Sequence, residues 1–520
     1  MAVYQSPGVY IVEEDRGTKP IEAVGTAVAA FVGFTEKAEE QLDGGAPVSL
    51  LNKSVAVANW SQYVEKFGGF VEGAYLPYSV YGYFQNGGSR CYVISVKSLG
   101  ASLDPELAAP ATVALPSRAE KPADTLEIAA KSGGPGGNEI KVSVKDEEDE
   151  QAFTLVVESP AGTETFSGLT LGKGEENVVT VLEQQSKLVT VKVLKAAGSL
   201  AERRPKAGVY NLSGGMIQVK SVAVSDYRGQ AAERTGLGGL AAIDEVTMLV
   251  VPDLMQSYQD GEMSLEDVQA VQQAAYEHCE QVKYCFAILD SPPDLTPQKV
   301  REWRLSANFD SKYAALYYPW IETADMVKGK GTVRIPPSGH IAGVYARSDT
   351  ERGVHKAPAN EVVRGATGLP IQVTRPEQDS LNPIGINCIR AFPGRGIRIW
   401  GARTVSSDPA WRYINVRRLF NMVEESIERG TQWVVFEPND PDLWARVRRD
   451  VKAFLSTVWT SGALFGGTPD EAFYVKCDEE LNPPAVRDLG QLIIEIGIAP
   501  VKPAEFVIFR ISQWAGPAAE

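Results

Sequence analysis

Three histidines and five cysteines are all that 520 residues provide of the usual metal and nucleophile chemistry. Cys91, Cys279, Cys285, Cys388 and Cys477 are scattered, odd in number and contain no Cys-x-x-Cys pair, which argues against a disulfide framework or a zinc site and for a reducing site of synthesis. Positive charge is short as well. With 51 Lys and Arg against 66 Asp and Glu, the net charge of −15 opposes a general affinity for nucleic acid, because phosphate binding needs clustered cations to displace counterions. No stretch approaches the ~18 apolar residues of a membrane span, and no basic segment followed by an apolar core opens the sequence. The expectation is a chain with neither a cleaved signal nor a membrane span. Phosphate-loop and nucleophile-elbow motifs are missing too. Gly133-Gly134-Pro135-Gly136-Gly137-Asn138 lacks the Lys-Ser/Thr of a phosphate loop and reads as a turn; Gly236-Leu237-Gly238-Gly239 follows polar residues rather than a strand; and there is no Gly-x-Ser-x-Gly.

What is present is ordinary folded-protein composition, 44% hydrophobic and 22% charged, over a length that suggests two to four domains. Ala27 to Phe34 reads as a buried strand, Asn59 to Phe67 as an Asn-capped helix, Tyr75 to Phe84 as an aromatic-rich helix ended by Asn86-Gly87-Gly88, and Cys91 to Val96 as a strand. From Leu99 to Pro122 the composition shifts to Ala, Pro and small polar residues, a connector. Short β-rich runs follow at Thr125 to Ala129, Glu139 to Val144, Phe153 to Glu158 and Val189 to Leu194, which suggests a small inserted β domain. An α/β pattern then resumes: strand Val246 to Val251, a helix from the Ser264/Asp267 capping box, strand Lys283 to Leu289, a helix from Thr296-Pro297, strand Tyr313 to Tyr318. Short β-α-β-α-β links imply a parallel, Rossmann-like sheet. In the last third, Pro393-Gly394-Arg395-Gly396 marks a hairpin, and Trp411 to Ile414 reads as a strand. A helix is expected to be capped by Asn415 and stopped by Gly430, and another to start at Asp440-Pro441. Further strands are expected at Gln432 to Phe436, Ala472 to Lys476, Leu489 to Ile496 and Phe506 to Ile511.

Candidate chemistry is sparse. Asp253 and Asp290 each follow a parallel strand, where doubly wound sheets place ligands, so they are tested as acids; each also lies beside proline, where Asp forms turns and caps. Asp290, His340 and Ser348 or Ser380 could be imagined as a triad, but His340 sits in what reads as a helix start, and His278 reads as a packed helix histidine. An α/β hydrolase-like enzyme with acids at strand ends therefore stands as the alternative to a non-enzymatic reading, and a static capsid-like or adhesion protein as a third. Between Arg390 and Arg418 seven arginines face the single acid Asp408, which suggests either an acidic partner or internal pairing. The Asp440 helix puts Leu443, Val447, Val451, Phe454 and Val458 on one stripe and Arg448, Arg449 and Lys452 opposite. That basic face suits an acidic surface, or simply solvent. Both chain ends are strongly β-prone: Val9, Tyr10, Ile11 and Val12, and Phe506, Val507, Ile508, Phe509 and Arg510. A lone strand lacks ladder partners, so each end invites pairing with another chain.

Several segments together resemble the contractile tail sheath proteins of phages, tailocins and extracellular contractile injection systems. They are Ser6-Pro7-Gly8-Val9-Tyr10, Arg352 to Asn360 (RGVHKAPAN), Asn382 to Arg390 (NPIGINCIR), Gly394 to Thr404 (GRGIRIWGART), Tyr413 to Phe420 (YINVRRLF) and Pro500 to Phe506 (PVKPAEF). The resemblance implies a homopolymer of six-fold rings stacked helically around an inner tube, with baseplate and terminal cap proteins as further partners and no cofactor, metal or catalytic residue. It implies residues 1–20 and 505–520 as exchanged strand arms, an α/β middle domain (21–100 with 207–360), an inserted β-rich outer domain (101–206) and a C-terminal inner sheath domain (361–504). The tube contact is expected at Arg446, Arg448, Arg449 and Lys452, and the acceptor sheet between Ala472 and Ile496 of a neighbouring subunit. Assembly in a bacterial cytoplasm follows, then residence in a phage tail or tail-like particle, extracellular after release.

Overall fold

The computed structural model describes residues 20–41, 47–100, 108–160, 162–195, 198–217 and 221–510. The expected arm residues Val9, Tyr10, Ile11 and Val12, and Ile511 at the other end, lie outside them. The chain is mixed α/β, organised around an eight-stranded sheet. Its strands in chain order are β1 (Ala29–Thr35), β2 (Val55–Val57), β3 (Cys91–Ser98), β4 (Met248–Val250), β5 (Ala287–Asp290), β6 (Ala314–Tyr318), β7 (Ile386–Phe392) and β8 (Gly396–Trp400), in the spatial order β8-β7-β6-β5-β4-β1-β3-β2. The strands from β7 across to β3 run parallel, and an antiparallel strand closes each edge.

Every residue of β1 and β6 is buried, because helices cover both faces. On one face lie α2 (Leu265–Val282) and α3 (Pro297–Ala307), packing Val268, Val271, Val300 and Trp303; on the other lie α1 (Leu76–Asn86) and α4 (Ser338–Arg352), packing Val80, Tyr83, Ile341 and Tyr345. The last two helices touch backbone to backbone: a Cβ on Gly343 would come within 2.5 Å of the Tyr83 carbonyl oxygen. Local signals set the starts. Ser264 and Asp267 form the expected capping box, Thr296 caps α3 with Pro297 at its first position, and Asn59 caps Trp60–Phe67.

Between β3 and β4 the chain builds a separate β unit. One sheet pairs Gly162–Leu169, Phe153–Ser159, Lys141–Asp146 and Gly208–Asn211, and a second pairs Val189–Val193, Asp124–Ala130 and Thr112–Pro116. Leu126, Ile128, Val142, Phe153, Leu155 and Val189 fill its own core. Its last ladder strand lies beyond residue 206, and the 133–138 glycine run is a turn around the helical stretch Pro135–Glu139, as its composition suggested. The C-terminal unit packs α5 (Ile414–Gly430) and α6 (Pro441–Thr460) against the hairpin β9 (Phe473–Lys476) and β10 (Glu495–Ile498), through Leu419, Val423, Leu443, Val447, Val451, Phe473 and Val475.

Five expectations fail here, four of them for a tertiary reason. The β7–β8 hairpin, grouped by sequence with the C-terminal unit, extends the central sheet, since β7 pairs with β6. Trp411 to Ile414 is not a strand: Pro409–Trp411 is a 3-10 turn, and Trp411 stacks under the Arg417 guanidinium at 4.5 Å and the Lys312 ammonium at 4.3 Å. Asn415 does not cap α5. It lies inside the helix, donating to the carbonyls of His355 (2.8 Å) and Val501 (3.1 Å). Gln432 to Phe436 is not a strand but holds the 3-10 turn Gln432–Val434, and strand pairing beyond Leu489 begins only at Glu495, because the Asn482 side chain takes both backbone groups of Ile493 (2.7 and 3.0 Å).

Candidate assembly surfaces

The acids at the strand ends serve the backbone. Asp253, fully buried after β4, accepts from the amides of Phe34 (2.6 Å), Leu76 (3.1 Å) and Tyr75. Burial pushes its carboxyl up to about 7, opposed by these three amides; they need acceptors on both oxygens, which favours the carboxylate. Asp290, the last residue of β5, takes the Ser338 amide (2.9 Å) and hydroxyl at the start of α4. Burial raises it to about 7 against those donors. Where a doubly wound sheet would place a ligand, both carboxylates are taken up by the protein's own donors. The imagined triad is not assembled either. Asp290 binds Ser338 rather than His340, Ser348 lies eight residues further along the same helix (about 12 Å at 1.5 Å per residue), and Ser380 donates to the Glu377 carbonyl (2.7 Å). His340 is buried with its Nδ1 unpartnered, and burial lowers it to about 4. His278 is packed on α2. Among the described residues no His, Cys, Asp and Glu group could hold a metal ion, and no helix is long and apolar enough to cross a membrane.

The C-terminal tail presents a different geometry. Val501 donates to the Ala463 carbonyl (3.2 Å), and four residues later Glu505 is clamped. Its carboxylate receives Arg403 Nε (2.9 Å) and a second guanidinium nitrogen (2.7 Å), Asn382 Nδ2 (2.6 Å) and the Tyr413 hydroxyl (3.1 Å). Burial works to raise the Glu505 carboxyl, yet these donors hold it below the ordinary glutamate range. Immediately beyond the clamp, Phe506, Val507, Ile508 and Phe509 are 72%, 68%, 80% and 82% exposed and form no ladder. An unpaired apolar stretch on this scale is a hydrophobic surface awaiting cover. The β9–β10 hairpin offers one: among the described residues it is a sheet of two strands, so each has an outer edge without a ladder partner there. Tyr474 lies across Gly497 on the paired strand, where a Cβ would meet the ring at 2.2 Å, and this leaves the face flat.

On α6 the apolar stripe Leu443, Val447, Val451, Phe454 and Val458 is buried as expected, under the Asp440 cap. The four basic residues part company. Arg449 and Lys452 are exposed, Arg449 beside its neighbour Asp450 (3.0 Å); Arg446 is exposed, 3.4 Å from Glu437 and 5.2 Å above the Trp433 ring. Arg448 turns inward and donates to the Cys477 carbonyl at the end of β9. It ties the hairpin to the helix instead of facing out. Sequence reasoning missed the Glu505 clamp and the junction pair Arg418–Asp349 (2.6 Å), whose partners are 102 and 69 residues apart. The only signal was the surplus of arginine over acid between 390 and 418.

The acids at the sheet's strand ends are taken up by backbone amides, while the C-terminal unit carries a two-stranded hairpin and a clamped tail with exposed apolar residues. Comparison with known proteins gives the family. The phage tail sheath protein central domain matches residues 237–405 and the phage tail sheath C-terminal domain residues 406–513, together more than half of the chain. A subunit of the anti-feeding prophage helical sheath in its contracted state superposes with a TM-score of 0.58 at 26% identity, covering 98% of this chain and all of that one. The sheath complex of an extracellular contractile injection system, PVC, in its contracted state gives 0.58 at 25% identity and 99% coverage of each. The tail sheath protein of Vibrio phage KVP40 is 30% identical over 177 residues, 33% of this chain, and the match spans only 26% of that relative's length. The chain belongs to the contractile tail sheath family.

Proposed function

We propose that this chain is the repeating subunit of a contractile sheath. It polymerises as helically stacked six-fold rings around an inner tube, and contraction drives the tube through a target envelope. The observation that carries the reading is the tail: four consecutive apolar residues exposed directly after a four-donor clamp, on a chain whose C-terminal hairpin has two open edges among the described residues. A donated strand satisfies backbone groups on both partners and covers those side chains, each worth ~1.5–3 kcal/mol when fully buried. Head-to-tail donation whose rotation does not close generates a helix. The hairpin of a neighbouring copy would accept Phe506 to Arg510 on one edge and Val9 to Val12 of another copy on the other.

Arg446, Arg449 and Lys452 form the proposed contact with an acidic inner tube, with Arg448 supporting the hairpin behind them. Baseplate and terminal cap proteins are the remaining expected partners, and the resemblance to subunits of sheath assemblies supports self-association. The subunit is read as non-enzymatic, built in a bacterial cytoplasm and then carried in a tail or tail-like particle. Truncation at Glu505, removing 506–520, tests the reading. The truncated chain is expected to keep its monomer melting temperature while losing sedimentable polymer and ordered tubes in electron micrographs; normal tubes would end the strand-exchange model.

A further inference from the structure

Six of the seven arginines between 390 and 418 divide by what they hold. Arg403, Arg417 and Arg418 each pair with a carboxylate, on Glu505 (2.7 Å), Glu424 (2.9 Å) and Asp349 (2.6 Å). Arg390, Arg395 and Arg398, all on the β7–β8 hairpin, pair with none among the described residues. Arg390 donates to Gln378 Oε1 (2.9 Å), Arg395 to Asn360 Oδ1 (2.9 Å), and Arg398 to the carbonyls of Asn360 (2.6 Å) and Arg395 (2.9 Å). Aromatic rings hold two of these guanidiniums in place. Arg390 and Arg395 each sit 5.5 Å from the Phe392 centroid, Arg395 is also 5.8 Å from Trp400, and the two rings lie 4.5 Å apart. Stacking costs a guanidinium little of its hydrogen-bonding capacity, because its donors lie in the plane. The hairpin tip is therefore an ordered, half-exposed cationic surface in a chain of net charge −15. Every subunit added to a homopolymer adds that negative charge again, and the contacts must offset the repulsion.

The densest acidic run among the described residues is Asp146-Glu147-Glu148-Asp149-Glu150, the turn between Lys141–Asp146 and Phe153–Ser159 of the inserted β unit. It too is held rigidly. The buried Arg204 guanidinium pairs with Asp146 and donates to the carbonyls of Asp149 (3.2 Å), Glu150 (3.3 Å) and Ala152 (2.7 Å). Glu147 is occupied by the Thr154 hydroxyl and the Gly168 amide (2.8 Å), and Asp149 by the Gln151 amide (2.8 Å). Glu148 and Glu150 stand exposed on this fixed turn. No hydrogen bond or ion pair joins the turn to the β7–β8 hairpin of its own chain among the described residues, so these complementary charges are not spent on each other within one copy.

We propose that Arg390 and Arg395 of one subunit receive Glu148 and Glu150 of a neighbouring copy, so that the inserted β unit supplies a charge contact of the polymer. The inference rests on the sheath reading above and adds a second, strand-independent contact to it. It is heterologous, joining two different surfaces, as a helical assembly requires.

Full-length chains carrying Arg390→Glu with Arg395→Glu, Glu148→Lys with Glu150→Lys, or all four substitutions test it by sedimentation and electron microscopy at low and high salt. Melting temperature controls for folding. Either reversed pair alone is expected to raise the critical concentration for assembly about tenfold or more, as loss of close interfacial charge pairs does. The fourfold variant, or an equimolar mixture of the two reversed chains, should restore most of it, and the parent's assembly should weaken with salt. Unchanged assembly in both reversed chains, or a fourfold variant no better than the worse pair, overturns the contact. If truncation at Glu505 still abolishes polymer in that case, the sheath reading survives. A loss seen only in tube-templated assembly, unrescued by Glu148→Lys with Glu150→Lys, would assign the arginines to the tube and likewise refute the proposal.

Discussion

Replacing Glu505 with alanine should cut the C-terminal tail loose while leaving the body of the subunit intact. The carboxylate is 18% exposed and the Arg403 side chain 10%. Without it, Arg403 retains only the Asn382 carbonyl at 3.3 Å as a side-chain hydrogen-bond partner among the described residues. Removing one partner of a buried pair costs about 3–5 kcal/mol; residual solvent contact on both groups lowers this to ~2–3 kcal/mol here. That is roughly a 30- to 150-fold shift towards the undocked tail. The loss is local, because Glu505 contacts Asn382, Arg403 and Tyr413 rather than the main core. Hydrogen exchange at 501–509 and limited proteolysis should therefore report it, while the melting temperature moves little. Assembly should fall with it, since an undocked tail pays more ordering entropy to become a strand. Glu505→Gln, which keeps an amide oxygen for Arg403, should lie between parent and alanine, and Arg403→Ala combined with Glu505→Ala should cost less than the two singles summed. The acid dependence has a definite sign. A carboxyl held below its unfolded value stabilises fully above the ordinary glutamate pKa of ~4.3 and loses that contribution as pH falls through the lower folded value. Parent-like exchange and assembly in Glu505→Ala would refute the clamp as the tail's anchor.

Two further outcomes test the body of the fold. Asp349→Asn should destabilise the junction between α4 and α5 by about 3–5 kcal/mol, because the Arg418 guanidinium, buried beneath Tyr345, would lose the carboxylate that also accepts from Thr26; a denaturant midpoint unchanged from the parent would contradict that. Asp290 works in the opposite sense to Glu505. Burial raises its carboxyl to about 7, so the folded chain keeps a proton that the unfolded chain has released, and the contribution of this group declines as pH rises from ~4 through the folded value. Denaturant midpoints measured on either side of neutrality in parent and Asp290→Asn should diverge accordingly, and parallel curves would sink the assignment.

Much of the architecture is written in neighbouring residues. The unbroken apolar runs of β1, β5 and β6 demand burial on both faces, and the Ser264, Thr296 and Asp440 caps act within three residues of their partners. Misreadings arose where composition suggested one element and a distant contact used the residues for another. Trp411 looks like strand material and serves as a platform for Arg417 and Lys312; Asn415 looks like a cap and braces the root of the tail.

By itself, then, the sequence determined the helices, the parallel strands and the apolar character of the tail, because periodicity and capping are interactions of short range. Tertiary structure decided how most of the arginines are spent, although Arg417 finds Glu424 seven residues along its own helix. Arg390, Arg395, Arg403, Arg417 and Arg418 are chemically identical and lie within one segment, yet the chain returns a carboxylate to the last three and leaves the first two on aromatic rings. Which guanidiniums lock a subunit together and which remain for a partner depends on where Glu505 and Asp349 come to rest. No local pattern encodes that position.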